Sequence, residues 1–148
     1  ERMQAYEQVL HATHGLFASS PEVARGDFQA FVASLRIDSY PGLLGMGYSL
    51  RVPAAERERH EHSVRAQGFP SYAISPPGAR DEITSALFFE PSGSSLLSTL
   101  GTDYYAEPSR RHAMDTARDN ASIAISNKIK LPKGKAEQGE TWELALHG

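Results

Sequence analysis

The chain has 148 residues, 40% of them apolar and 9% aromatic, which suits one domain with a substantial core and leaves little room for a second. Its 15 basic and 18 acidic residues give a net charge of -3, so it lacks the cationic excess that phosphate backbones demand, and nucleic acid is not an expected partner. The absence of Cys removes disulfides, thiolate nucleophiles and Cys-bound zinc together.

Met3, Tyr6, Leu10, Thr13 and Phe17 recur at alternating spacings of three and four, which predicts a helix to about Ser19 with one narrow apolar seam. Such a seam serves either as a stalk or pairing surface or as the face that lies on the domain's own core. Ser20 and Pro21 interrupt the pattern, and Asp27 is expected to N-cap a second helix with Phe28, Phe31, Val32 and Leu35 inward. Residues 1–38 therefore read as a stalk helix and its second helix, and residues 39–148 as the main module.

Within that module "LLGMGYSLRV" predicts a strand from about Leu43 to Val52, and Pro53 and Gly68 bracket a charged helix, "AAERERHEHSVRAQ". A short extended piece from Ser71 to Ile74 and the turn at Pro76, Pro77 and Gly78 lead to a strand from Ile83 to Glu90, which "PSGSSL" ends. Pro108 opens a helix to about Asp119, with Glu107 at its positive end and Asp115 spaced to pair with Arg111. "IAISNKIKL" predicts a strand to Leu131, and "TWELALH" alternates as a closing one. This order matches a mixed α/β domain of the α+β type, with a long N-terminal helix and an antiparallel sheet flanked by helices, rather than a doubly wound parallel sheet.

Enzymatic motifs are sparse. His60 and His62 lie two apart and point to opposite sides of a helix, although Glu58 with His62 at a spacing of four could share an ion, so a metal-assisted hydrolase built on Glu58, His60 and His62 is the rival reading. No G-x-S-x-G, dinucleotide fingerprint or phosphate loop occurs, and no cofactor is expected. In "GTDYYAEPSRR", Tyr104 and Tyr105 read as amphipathic cover for the core at a charged helix start.

Six segments in order resemble the CHASE domain, an extracytoplasmic sensor of histidine kinases and nucleotide cyclases: "FQAFVASL", "YPGLLGMGYSLRVPAAER", "QGFPSYAISPPGARDE", "FEP", "LGTDYYAEPSRRHAMDTARD" and "IAISNKIKL". The chain departs from the family pattern at Ile83, Ser85, Leu96 and Ala121, near the expected pocket. The resemblance implies a PAS-like module behind a long helix and a place on the periplasmic or extracellular side of the membrane. It further implies a small-molecule ligand, purine-like in the plant receptors, held there by an acid whose position falls on Pro91 in this chain, with Glu90 adjacent, and by a hydroxyl that falls on Ser126.

Strand alternation gives this pocket a physical form. Gly45, Gly47 and Ser49 share one face of their strand, Ala124 and Ser126 share one of theirs, and Ala86, Phe88 and Glu90 share one of the third. If these small residues look the same way, the sheet has a hollow there; alternatively, helices pack closely over them. The expected ligand-binding set is Gly47, Phe88, Glu90, Tyr105 and Ser126, with no catalytic or metal-binding residues.

The resulting expectation is a non-enzymatic sensor whose ligand shifts two arrangements of the N-terminal helix, with homodimerisation through the Met3 to Phe17 seam. A protein-interaction module with a filled sheet face is the third reading. No run of about 18 apolar residues is present. A chain that starts at Glu1 and stops at Gly148 is expected to be a piece of a membrane-anchored parent.

Overall fold

The computed structural model describes residues 2–43, 45–90 and 100–120, with the backbone of 124–125, 129–130, 140–141 and 144–145. Helix α1 (Arg2–Ser19) buries Val9 and Thr13 and half-buries Leu16 and Phe17. The Thr13 hydroxyl is satisfied by the Val9 carbonyl one turn back, at 2.8 Å. The expected seam therefore divides: its C-terminal part lies on the protein's own core, joined by Val9 from outside the seam, whereas Met3 is 42% exposed.

Helix α2 (Arg25–Leu35) inserts a fully buried Phe28, followed by Val32, into the same core. Asp27 is not its N-cap. The cap position is Ala24, and Asp27 sits three residues further on, where its carboxylate reaches back to accept the Ala24 N–H at 3.0 Å. The acid thus supplies the reciprocal half of a capping box that Ala24, lacking a side-chain acceptor, cannot complete.

Strands β1 (Met46–Val52) and β2 (Ile83–Glu90) pair antiparallel, from Met46 opposite Glu90 to Val52 opposite Ile83. The register slips between Tyr48 and Ser49, which face Phe88 and Ala86, so that Leu87 has no partner on β1. Because paired residues share a face, Met46, Tyr48, Leu50 and Val52 lie with Glu90, Phe88, Ser85 and Ile83. Gly47, Ser49 and Arg51 lie on the opposite face with Phe89, Ala86 and Thr84.

The first face carries the core. Phe17 stacks on Tyr48 with ring centroids 4.2 Å apart, and Phe28 lies 5.3 Å from Phe88. At the other end Val52, Ile74 and Ile83 form a second cluster. Helix α3 (Arg57–Ala66), led in by the turn Ala54–Glu56, buries Val64. Glu61 fixes its position by accepting the Ile74 N–H at 2.8 Å.

Residues 101–103 run along the outer edge of β2. Gly101 N–H donates to the Ala86 carbonyl at 2.8 Å and Ala86 N–H to the Thr102 carbonyl at 3.0 Å, while Ser75 bridges Thr102 in parallel on the other side. Helix α4 (Pro108–Asn120) follows and buries Ala113 and Ala117. Strand β3 (Ala124–Ile125) pairs with β6 (Leu144–Ala145), and β4 (Ile129–Lys130) with β5 (Glu140–Thr141), both antiparallel. Residues 124–125 and 129–130 of the strand expected from Ile123 to Leu131 thus pair antiparallel with residues 144–145 and 140–141, and residues 126–128 and 142–143 lie outside the described ones. The protein is a mixed α+β fold in which an N-terminal helical hairpin precedes antiparallel pairing.

Candidate functional site

On the side of the molecule away from α1 and α2, a cleft of about 340 Å³ opens between residues 79–82, just before β2, and the start of α4. Tyr105, Ala106 and Arg111 line one wall, and Arg80, Asp81 and Glu82 the other. Asp103 holds the two walls at a fixed spacing. Its side chain is fully buried, and Oδ1 accepts from Thr84 Oγ1 at 2.8 Å, Thr84 N–H at 3.2 Å and Tyr105 N–H at 3.1 Å. Its other oxygen takes Arg80 Nε at 3.0 Å, with Arg80 Nη2 also at 3.0 Å but outside hydrogen-bonding geometry. A buried carboxylate with this many donors locks its neighbours.

The turn Tyr104–Ala106 presents Tyr105, whose hydroxyl donates to Asp115 at 2.7 Å. Glu107 caps α4 as its place before Pro108 implies, accepting from Ser109 N–H at 3.2 Å and Arg110 N–H at 2.9 Å. The expected Arg111–Asp115 pair does not form. Asp115 is taken by Tyr105 and by Arg118 at 3.3 Å, and Arg111 instead lies over the Tyr105 ring, 4.5 Å from its centre. On the opposite wall, Glu82 pairs with Arg51 at 3.0 Å.

Of the described residues expected to bind ligand, Tyr105 alone lines this cleft. Phe88 is buried in the aromatic cluster under α1 and α2. Glu90 is buried on the same face, and the bulge at Leu87 turns Ala86 away from both. Gly47 lies on the opposite face, so it does not meet Phe88 and Glu90, and Ser126 lies outside the described residues. The space beside Gly45 and Gly47 is filled. A methyl group on Gly45 would fall 2.8 Å from Phe89 Cζ and one on Gly47 would fall 3.0 Å from Phe89 Cδ1, so the glycines make room for that ring.

The residues of the metal-hydrolase reading also disperse. Glu58 and His62 are exposed, while His60 Nε2 is hydrogen-bonded to the Tyr72 hydroxyl at 2.8 Å, and Tyr72 in turn contacts the buried Ser85 hydroxyl. Among the described residues no group of three or more His, Asp or Glu is placed to hold a metal. Burial lowers the His60 pKa, against a smaller upward pull from Glu61, and raises that of Tyr72.

Arg80 and Asp103 are not legible as cleft residues in the sequence. The available signal was Asp103 two residues before Tyr105, where a side-chain oxygen caps a turn.

The family model of the CHASE domain matches residues 21–142. The chain belongs to the CHASE domain family. No curated protein matches it. As a CHASE domain it is an extracytoplasmic sensor module of a signalling receptor, a receiving rather than a catalytic part. Among the described residues, no helix of this CHASE domain is long and apolar enough to cross a membrane.

Proposed function

We propose that this CHASE domain senses a small molecule in the cleft beside Tyr105 and transmits occupancy through β2 to the N-terminal helices of a membrane-anchored kinase or nucleotide cyclase. One observation carries the reading: β2 touches both ends of the route. Thr84, near its start, is bonded to the Asp103 that fixes the cleft, while Phe88 and the Leu87 carbonyl, near its end, contact the helical hairpin. A ligand that prefers one spacing of the cleft walls would bias the seating of α1 and α2 by its differential affinity. Dimerisation through the N-terminal part of α1 is supported by Met3, a large apolar side chain exposed on that helix.

A second seat, which the family resemblance implies around Glu90 and Ser126, is supported by Glu90 being a carboxylate only 8% exposed at the end of β2. A thermal-shift screen of metabolites, purines and carboxylates included, on wild type, Ala79→Trp and Ser126→Leu separates the two. Ala79 is exposed on the cleft rim, so tryptophan there obstructs the opening without entering the core. The cleft reading expects a shift that Ala79→Trp removes and Ser126→Leu keeps. The reverse pattern moves the seat to Ser126, and a screen with no shift in wild type counts against sensing by this module.

A further inference from the structure

We propose that the cleft takes a small zwitterion, a molecule carrying one carboxylate and one ammonium, such as a free α-amino acid; the inference rests on the cleft being the ligand seat. Among the described residues, four charged side chains line it: Arg80, Arg111, Asp81 and Glu82. Two already have partners, since Arg80 is paired with Asp103 at 3.0 Å and Glu82 with Arg51 at 3.0 Å. The other two are opposite in sign. Among the described residues neither Arg111 nor Asp81 forms an ion pair, with each other or with any third group.

A cation and an anion on the walls of one cleft, too far apart to neutralise each other, form a dipole that a ligand can complete. A simple carboxylate would pair with Arg111 but bring its charge towards Asp81, and a simple amine would do the reverse. A molecule bearing both groups meets both walls with the right sign. Tyr105 helps fix the cation, because the Arg111 guanidinium lies 4.5 Å over its ring and is held in one orientation.

Arg80, paired with Asp103 at 3.0 Å, holds its own wall in place. Arg111 would receive the carboxylate, and Asp81 the ammonium. The volume of about 340 Å³ lies at the small end of ligand pockets, roughly 300–1,000 Å³, and suits a molecule of this size.

The test is thermal shift and calorimetry at low ionic strength with the common L-α-amino acids, beside half-molecules that carry one charge each: propionate, 3-phenylpropionate, ethylamine and phenethylamine. At least one amino acid is expected to raise the melting temperature in a saturable way while its half-molecules do not. Arg111→Gln and Asp81→Asn, both at exposed positions, are each expected to weaken that binding by about tenfold or more. Equal binding of a half-molecule overturns the zwitterion and leaves the cleft reading standing. An amino acid response that survives both substitutions overturns both, and the absence of any amino acid response overturns the zwitterion.

Discussion

Arg25 and Leu87 are joined across the layer between helices and sheet: the Arg25 guanidinium donates to the carbonyl oxygen of Leu87, the residue for which the β2 bulge leaves no partner on β1. The same guanidinium lies 4.3 Å from the centre of the Phe69 ring and 5.1 Å from that of Phe88. Burial lowers its pKa, and the nearby Tyr72 and Glu90 oppose that shift. One side chain therefore connects the first turn of α2, the irregular point of the strand pair and the segment after α3. Arg25→Met is expected to lower stability by about 1–2 kcal/mol in urea unfolding. It should also raise hydrogen exchange in α2 more than in α4. Arg25→Lys should not restore either property, because a point-charge ammonium cannot occupy both the carbonyl and the ring faces as a planar fork does. Uniform exchange across both helices would remove the junction role.

Asp103 is the second pivot. Its carboxylate accepts from Thr84, Tyr105 and Arg80 while wholly buried, so truncation strands a cation and several donors at once. Asp103→Ala is expected to destabilise by about 3–5 kcal/mol. The double variant with Arg80→Ala should lose less than the sum of the two single changes, because the stranded cation goes too. An Asp103→Ala protein within about 1 kcal/mol of wild type would show that β2 and the cleft are held together by something else.

Local signals in the sequence locate the frame, while contacts between distant residues are not legible in it. Strand β2 begins and ends where its run of apolar and β-branched residues does, from Ile83 to Glu90, and Pro108 opens α4 as its fixed φ dictates. The bulge left no such trace, since "SALFFE" would be equally apolar with or without a slipped register, and that slip moved Ala86 to the face opposite Phe88. At Gly45 and Gly47 the sequence shows that a side chain is missing, not what occupies its place; Phe89 does. Arg80 and Asp103 stand 23 residues apart and look like ordinary surface charges until the fold brings them together.

Stability should depend on pH through His60. Burial holds its imidazole below the ordinary value of 6.5, where it makes a 2.8 Å hydrogen bond with Tyr72. The unfolded chain then binds the proton more readily than the fold does. The His60 contribution is therefore complete above about pH 6.5 and is lost as the pH falls through that value towards the lower folded-state pKa. Urea midpoints measured from about pH 7.5 down to about pH 5 should fall more steeply for wild type than for His60→Gln. Parallel slopes in the two proteins would assign any acid sensitivity to other groups.

Two glycines give opposite expectations from the same substitution. Gly101 has φ of +90°, and a methyl group added there would fall 2.2 Å from the Ala73 carbonyl oxygen, with backbone on both sides in the bridge between Ser75 and β2. Neither the left-handed conformation nor the overlap can be relieved by a side-chain rotation, so Gly101→Ala should destabilise by more than about 4 kcal/mol or prevent folding. Gly15 is exposed within α1, and an added methyl group there meets nothing within 4 Å. Gly15→Ala should therefore stabilise by about 0.5–1 kcal/mol, through better helix propensity and a less flexible unfolded chain. Calorimetric unfolding of the two variants side by side checks both signs. A well-folded Gly101→Ala protein would mean that the segment between Ser75 and β2 has more room than its hydrogen bonds imply. A destabilised Gly15→Ala protein would mean that the exposed face of α1 is covered in solution, as a second copy of the chain would cover it.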